Sequence, residues 1–162
     1  MTGRQSFKIR TARQFLEGLV EPDYDEFLQE TSSSRLAIHC ALVCWHLIDW
    51  VWADVLKGST GLCSAIDSSI RNLDSFRDYA VNDCPELGIV RDIATGSKHS
   101  AAQSSRVKDS NVAGAFQADA FQSDAFDIAR LEVELASSTR QFADCLEAAV
   151  TFWRAFFRNH VP

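Results

Sequence analysis

Glycine, proline, tyrosine and methionine are all scarce in this chain of 162 residues, with 7, 3, 2 and 1 respectively. No Gly-x-x-x-x-Gly-Lys stretch occurs, which excludes the backbone cradle with which P-loop proteins hold phosphates. No Gly-x-Ser-x-Gly occurs either, and with it goes the strained serine turn of the α/β-hydrolases. The 5 cysteines are odd in number and form no Cys-x-x-Cys pair, so neither a disulfide framework nor a zinc ribbon is indicated. Free thiols in a reducing compartment are expected instead. Cys40 and Cys44, four apart in an apolar stretch, have the spacing of small core residues. The start, Met1 to Arg13, is polar and basic and lacks the apolar stretch of a secretion signal, so a cytoplasmic location is expected.

Positive charge is also in deficit. Sixteen Lys and Arg against 22 Asp and Glu leave a net charge of −6. A fold of that charge repels polyanions overall, which argues against nonspecific DNA binding by its whole surface. The local exception is a short basic arm, Arg4, Lys8, Arg10 and Arg13, placed before the first acidic residue, Glu17. Otherwise the composition is that of an ordinary globular domain, with 46% hydrophobic and 23% charged residues. Eleven Phe and 4 Trp supply large core anchors without phenolic hydroxyls. The length suits one domain, residues 1–162, with enough chain to bury a core unaided.

Periodicity assigns that domain to the mainly all-α class. Thr11 can cap a first helix carrying Phe15, Leu16, Leu19 and Val20, which Pro22 is expected to interrupt before a short turn over Asp23 to Gln29. A serine of the Ser32–Ser34 run caps a long helix from about Arg35 to Lys57, ended by Gly58. The 21 residues from Leu36 to Leu56 contain no Lys or Arg, as a membrane span would require. They do contain His39, His46, Asp49 and Asp54. One aspartate near a span's centre costs about 2.5–3.5 kcal/mol, so the segment is expected to be the buried central helix of a bundle, away from any membrane.

Leu62, Ile66, Ile70, Leu73 and Phe76 predict a third helix over about 62–80. Pro85, behind Asp83 and Cys84 as caps, opens a fourth with Leu87, Val90 and Ile93 that loosens near Gly96.

From about 97 to 136 the helical pattern lapses into a polar insertion. Its repeat, Ala115-Phe-Gln-Ala-Asp, Ala120-Phe-Gln-Ser-Asp, Ala125-Phe-Asp, has a period of five that fits neither helix nor strand. The repeat predicts an extended segment laying Phe116, Phe121 and Phe126 on the bundle. Leu131, Val133 and Leu135 alternate with Glu132 and Glu134 as in a half-buried strand, with a hairpin partner expected near Val107 to Val112. Ser137–Thr139 then cap a last helix whose stripe is Phe142, Cys145, Leu146, Ala149, Val150, Trp153, Phe156 and Phe157. The expectation is a four- to five-helix bundle with a small β-hairpin or extended insertion between its last two helices.

Two places could carry chemistry. On the central helix, Arg35, His39, His46 and Asp49 fall within roughly a third of the circumference at about 100° per residue. Leu42, Trp50 and Ala53 share that arc, so a solvated face, a buried network or interface, and a functional cleft all remain open for it. His46 and Asp49, with His39 or His99, are also the residues that could meet a divalent ion. The absence of any Glu-x-x-His argues against a resident metal, and none is expected.

The second place is Arg91-Asp-Ile-Ala-Thr-Gly-Ser-Lys-His99, at the end of the fourth helix. Taken by themselves, Arg91 and Asp92 are a solvated pair, and Lys98 and His99 are cations suited to a helix C-terminus. As a constellation they resemble the HEPN superfamily of helical bundles, whose signature sets an arginine and a polar neighbour ahead of a histidine on a late helix. By that resemblance Arg91 is the arginine, Asp92 the polar neighbour and His99 the histidine, with seven residues between Arg91 and His99. Arg35 and His39 form a second, closer Arg/His pair.

The resemblance implies a metal-independent ribonuclease, or a catalytically silent relative, from a bacterial defence, toxin–antitoxin or phage-related system. It also implies a homodimer in which two such sets face one cleft. Arg91, Asp92 and His99 would be catalytic. Lys98, Arg35, His39, His46 and Asp49 would contact RNA. The alternative is a non-enzymatic module that binds a cognate protein or dimerises through Trp50 or the phenylalanine repeat.

Overall fold

A computed structural model of the chain describes residues 8–96, 107, 109–113 and 130–161. The fold is mainly all-α. The first helix, α1, covers 12–29. Thr11 opens it as expected, its hydroxyl accepting the Gln14 N–H at 3.1 Å. Its first amide finds a more distant partner, since Ala12 N–H donates to the Asp54 carboxylate at 2.9 Å.

Pro22 does not interrupt α1. The turn before it, Leu16–Val20, is π-helical, with Glu21 N–H reaching back to the Leu16 carbonyl, and the α-helix resumes over Glu21–Gln29. The wider turn gives the proline ring room against the preceding carbonyls, so the helix is continuous through it.

Ser33 caps the central helix α2, Ser34–Leu56, by accepting the Leu36 N–H. Lys57 and Gly58, the latter at φ +88°, end it. By length and composition α2 could cross a membrane, yet half of its most apolar stretch is buried inside the protein. Leu47, Ile48 and Val51 are fully enclosed, as is Cys44.

The helix expected over 62–80 is two helices, α3 (Thr60–Ile66) and α4 (Leu73–Asp83). Short polar side chains divide it. Asp67 turns its carboxylate onto the Ser69 N–H at 2.7 Å, and Asn72 and Ser75 form a reciprocal capping box that starts α4 afresh. Helix α5, Pro85–Gly96, begins at the proline as expected.

The insertion and the residues just after it form a three-stranded antiparallel sheet of order β1 (Asp109–Ala113), β2 (Arg130–Glu134), β3 (Thr139–Gln141). Ser110 stands opposite Val133 and Val112 opposite Leu131, so the predicted hairpin forms in the predicted stretch. Val133 is buried at its centre. The third strand replaces the expected cap: Thr139 and Arg140 pair with Glu134 and Val133, and no side chain caps α6, Phe142–His160. The phenylalanine repeat lies outside the described residues.

All eight stripe residues of α6 are buried. Trp153 is fully enclosed and donates its indole N–H to the Cys44 carbonyl at 3.1 Å, which pins α6 to the middle of α2. Packed against α1, α5 and α6, α2 is the axle of the bundle.

Candidate functional site: the Arg91–Asp92 pair and the polar seam of α2

Arg91 and Asp92 occupy the last turns of α5, and they are not two solvated charges. The Asp92 side chain is 3% exposed, whereas that of Arg91 is 35% exposed. Asp92 Oδ1 accepts from both Arg91 Nε, at 3.1 Å, and Arg91 Nη2, at 3.0 Å. The guanidinium carbon lies 5.9 Å from the centre of the Trp45 ring on α2, a cation–π approach. The apolar flanks of α5, with Ile89, Val90 and Ala94 buried, explain why this carboxylate is carried inward. A buried carboxylate needs a cationic or multiply donating partner. Arg91 provides that while about a third of its side chain stays exposed. Lys98 and His99 lie outside the described residues.

The seam residues of α2 divide between two ends of the helix. At its start, Arg35 is 76% exposed and its guanidinium lies 3.5 Å from Glu26 of α1. One turn on, His39 Nδ1 lies 2.9 Å from Asp23 Oδ2, the imidazole 58% exposed and the carboxylate 17%. Burial pushes the Asp23 carboxyl above its ordinary range, and the neighbouring His39 offsets part of the rise. At the far end, Asp49 accepts from Arg77 Nη2 of α4 at 2.7 Å, while Nη1 of the same arginine reaches Asp74 at 3.1 Å. His46 is half-buried between these ends. Trp50 stacks obliquely on Phe15 of α1, the ring centres 4.9 Å apart, which explains an indole on a polar arc.

So the seam is a set of straps between α2 and its neighbours, open to solvent at the His39 end. Asp23, Glu26 and Arg77 are partners that inspection of α2 could not supply, because they stand 9 to 28 residues away in the chain. The signal for them was weak: charges on helices that otherwise had ample apolar faces. Arg91 touches α2 through Trp45, next in sequence to His46.

Among the described residues no group of three His, Cys, Asp or Glu side chains is assembled to hold a metal ion. The five cysteines are free and buried. Burial raises the Cys40 thiol to about 12 and the Cys145 thiol to about 11, which keeps both protonated and poorly nucleophilic near neutrality.

Compared with protein-family models, with curated proteins and with solved structures, the chain finds no match in any of the three.

Proposed function

We propose that the chain is a HEPN-like, soluble, cytoplasmic helical domain that binds RNA and cleaves it without a metal ion. The observation that supports this reading best is the Arg91–Asp92 pair. A guanidinium carries five N–H donors. Two of them are held by a buried carboxylate, and about a third of the side chain remains exposed. Such an arginine is oriented before a ligand arrives and can grip a phosphate with parallel hydrogen bonds. In this reading Arg91 neutralises the phosphorane charge and Asp92 positions Arg91. His99 moves the proton, as the sequence resemblance implies, and Lys98 steadies the backbone. A catalytically silent relative would use the same clamp for binding alone.

RNA binding by the Arg91→Ala variant tests the clamp. Affinity should fall at least about tenfold, and the dependence of log affinity on log salt should become shallower by about one ion. Unchanged affinity and slope would remove Arg91 from the interface.

A second reading, a non-enzymatic protein-interaction or dimerisation module, draws on a different observation. Leu28 and Ile38 are large apolar side chains left 46% and 39% exposed, on α1 and α2.

A further inference from the structure

The open end of the α2 seam holds an arrangement that goes beyond the RNA contacts expected of Arg35 and His39. Asp23 and His39 are a carboxylate–imidazole dyad with unequal exposure, the acid largely enclosed and the imidazole in solvent. Asp23 Oδ2 is buried without a hydrogen-bond partner among the described residues, His39 Nδ1 lying 2.9 Å away but off the line of a hydrogen bond. A carboxylate 2.9 Å from Nδ1 favours the ring proton on that nitrogen, and the lone pair then lies on Nε2. The backbone carbonyl of Asp23 accepts from the Cys40 thiol at 3.0 Å, which ties the acid's main chain to the residue after His39. The imidazole is thus oriented from behind and faces outward.

Arg35 stands four residues earlier on the same helix face, 76% exposed, its ion pair with Glu26 a long 3.5 Å. A nucleophilic nitrogen with a guanidinium one turn away is matched to a phosphoryl group. Both side chains are too open to enclose a small substrate and keep water from it. An open helix face suits delivery by another macromolecule, and Ile38, exposed beside His39, adds an apolar foothold for one.

We infer that His39 is a phosphoryl-accepting site, served by a phosphoramidate or acyl phosphate group carried on a partner protein. In the transfer, Nε2 attacks phosphorus. The Nε2–P bond forms and the bond from phosphorus to the donor's nitrogen or carboxylate oxygen breaks, its electron pair leaving with the donor. Nδ1 keeps its proton, so the ring becomes cationic and the adjacent Asp23 carboxylate neutralises it. Arg35 hydrogen-bonds the phosphoryl oxygens. No electrons are exchanged and no further reactant is needed. Asp23 acts through His39 as a positioning residue.

Free phosphoramidate is the probe, applied to the full chain, with the site of labelling read by mass spectrometry. His160, half-buried against Phe156 at 5.1 Å between ring centres, serves as the internal reference. His39 should be phosphorylated at least about tenfold faster than His160, in a linkage stable to base and labile to acid. Asp23→Asn should remove most of that advantage and Asp23→Glu restore it, with circular dichroism unchanged in both. Arg35→Ala should slow the reaction without moving the site. Labelling of His39 no faster than His160, or a rate indifferent to Asp23→Asn, overturns the proposal.

Discussion

At the scale of single residues, Asp92 is where stability and the proposed function meet. Its carboxylate lies inside α5's packing surface and is held by an arginine that is itself one-third exposed. Breaking a fully buried ion pair costs about 3–5 kcal/mol, but solvent around Arg91 softens the loss. Asp92→Ala should therefore lower stability by about 1–3 kcal/mol, measured by urea denaturation, and weaken RNA binding along with it. An unchanged midpoint would mean that the pair contributes nothing to the fold.

Sequence inspection put Arg91 and Asp92 together and attached them to the end of a helix, which holds. Taken by themselves they read as solvated, because adjacent charges in a helix usually are. The depth of Asp92 depends on how α5 is rotated against α2, and no local pattern encodes that. The same limit applies to His39 and Asp49: their helix face was legible at 3.6-residue periodicity, while the acid and the arginine that meet them come from other helices.

At the scale of elements, an ion pair ties α5 to the sheet. Arg140 of β3 donates to Glu86, in the first turn of α5, at 2.7 Å. That hydrogen bond first, against the opposing effect of burial, holds the Glu86 carboxyl below its ordinary value of 4.5. A depressed folded-state pKa contributes stability that is present above the ordinary value and lost as pH falls through the folded one. Wild type should therefore lose stability more steeply than Glu86→Gln as pH drops below about 4.5. Thermal melts across that range check this, and parallel curves would contradict it.

The first two strands were legible, since alternation in Leu131–Leu135 needs nothing beyond a period of two, whereas the third lay where a helix cap was expected. The break between α3 and α4 was not, although Asp67, Ser69, Asn72 and Ser75 were in plain view. There an unbroken apolar stripe masked side chains that compete with the helix for backbone donors. At Pro22 the opposite happened: a residue that breaks α-helices was absorbed by a π-helical turn.

At the scale of the whole molecule, an acidic chain of net charge −6 is asked to hold a polyanion. The proposed reading resolves this by locality, with one preset guanidinium in place of a broad basic face, so binding should weaken only modestly as salt rises. If two chains join to face their Arg91 residues across one cleft, light scattering should return twice 18.1 kDa. A particle of single mass at high concentration would leave each Arg91 to act alone.

The most direct test of the central claim is cleavage of single-stranded RNA by the purified chain in excess EDTA, with Arg91→Ala and His99→Ala alongside. The account predicts cleavage by wild type, undiminished by the chelator, and its loss in both variants. Absence of cleavage by wild type, or equal cleavage by all three proteins, would contradict it and favour the interaction module.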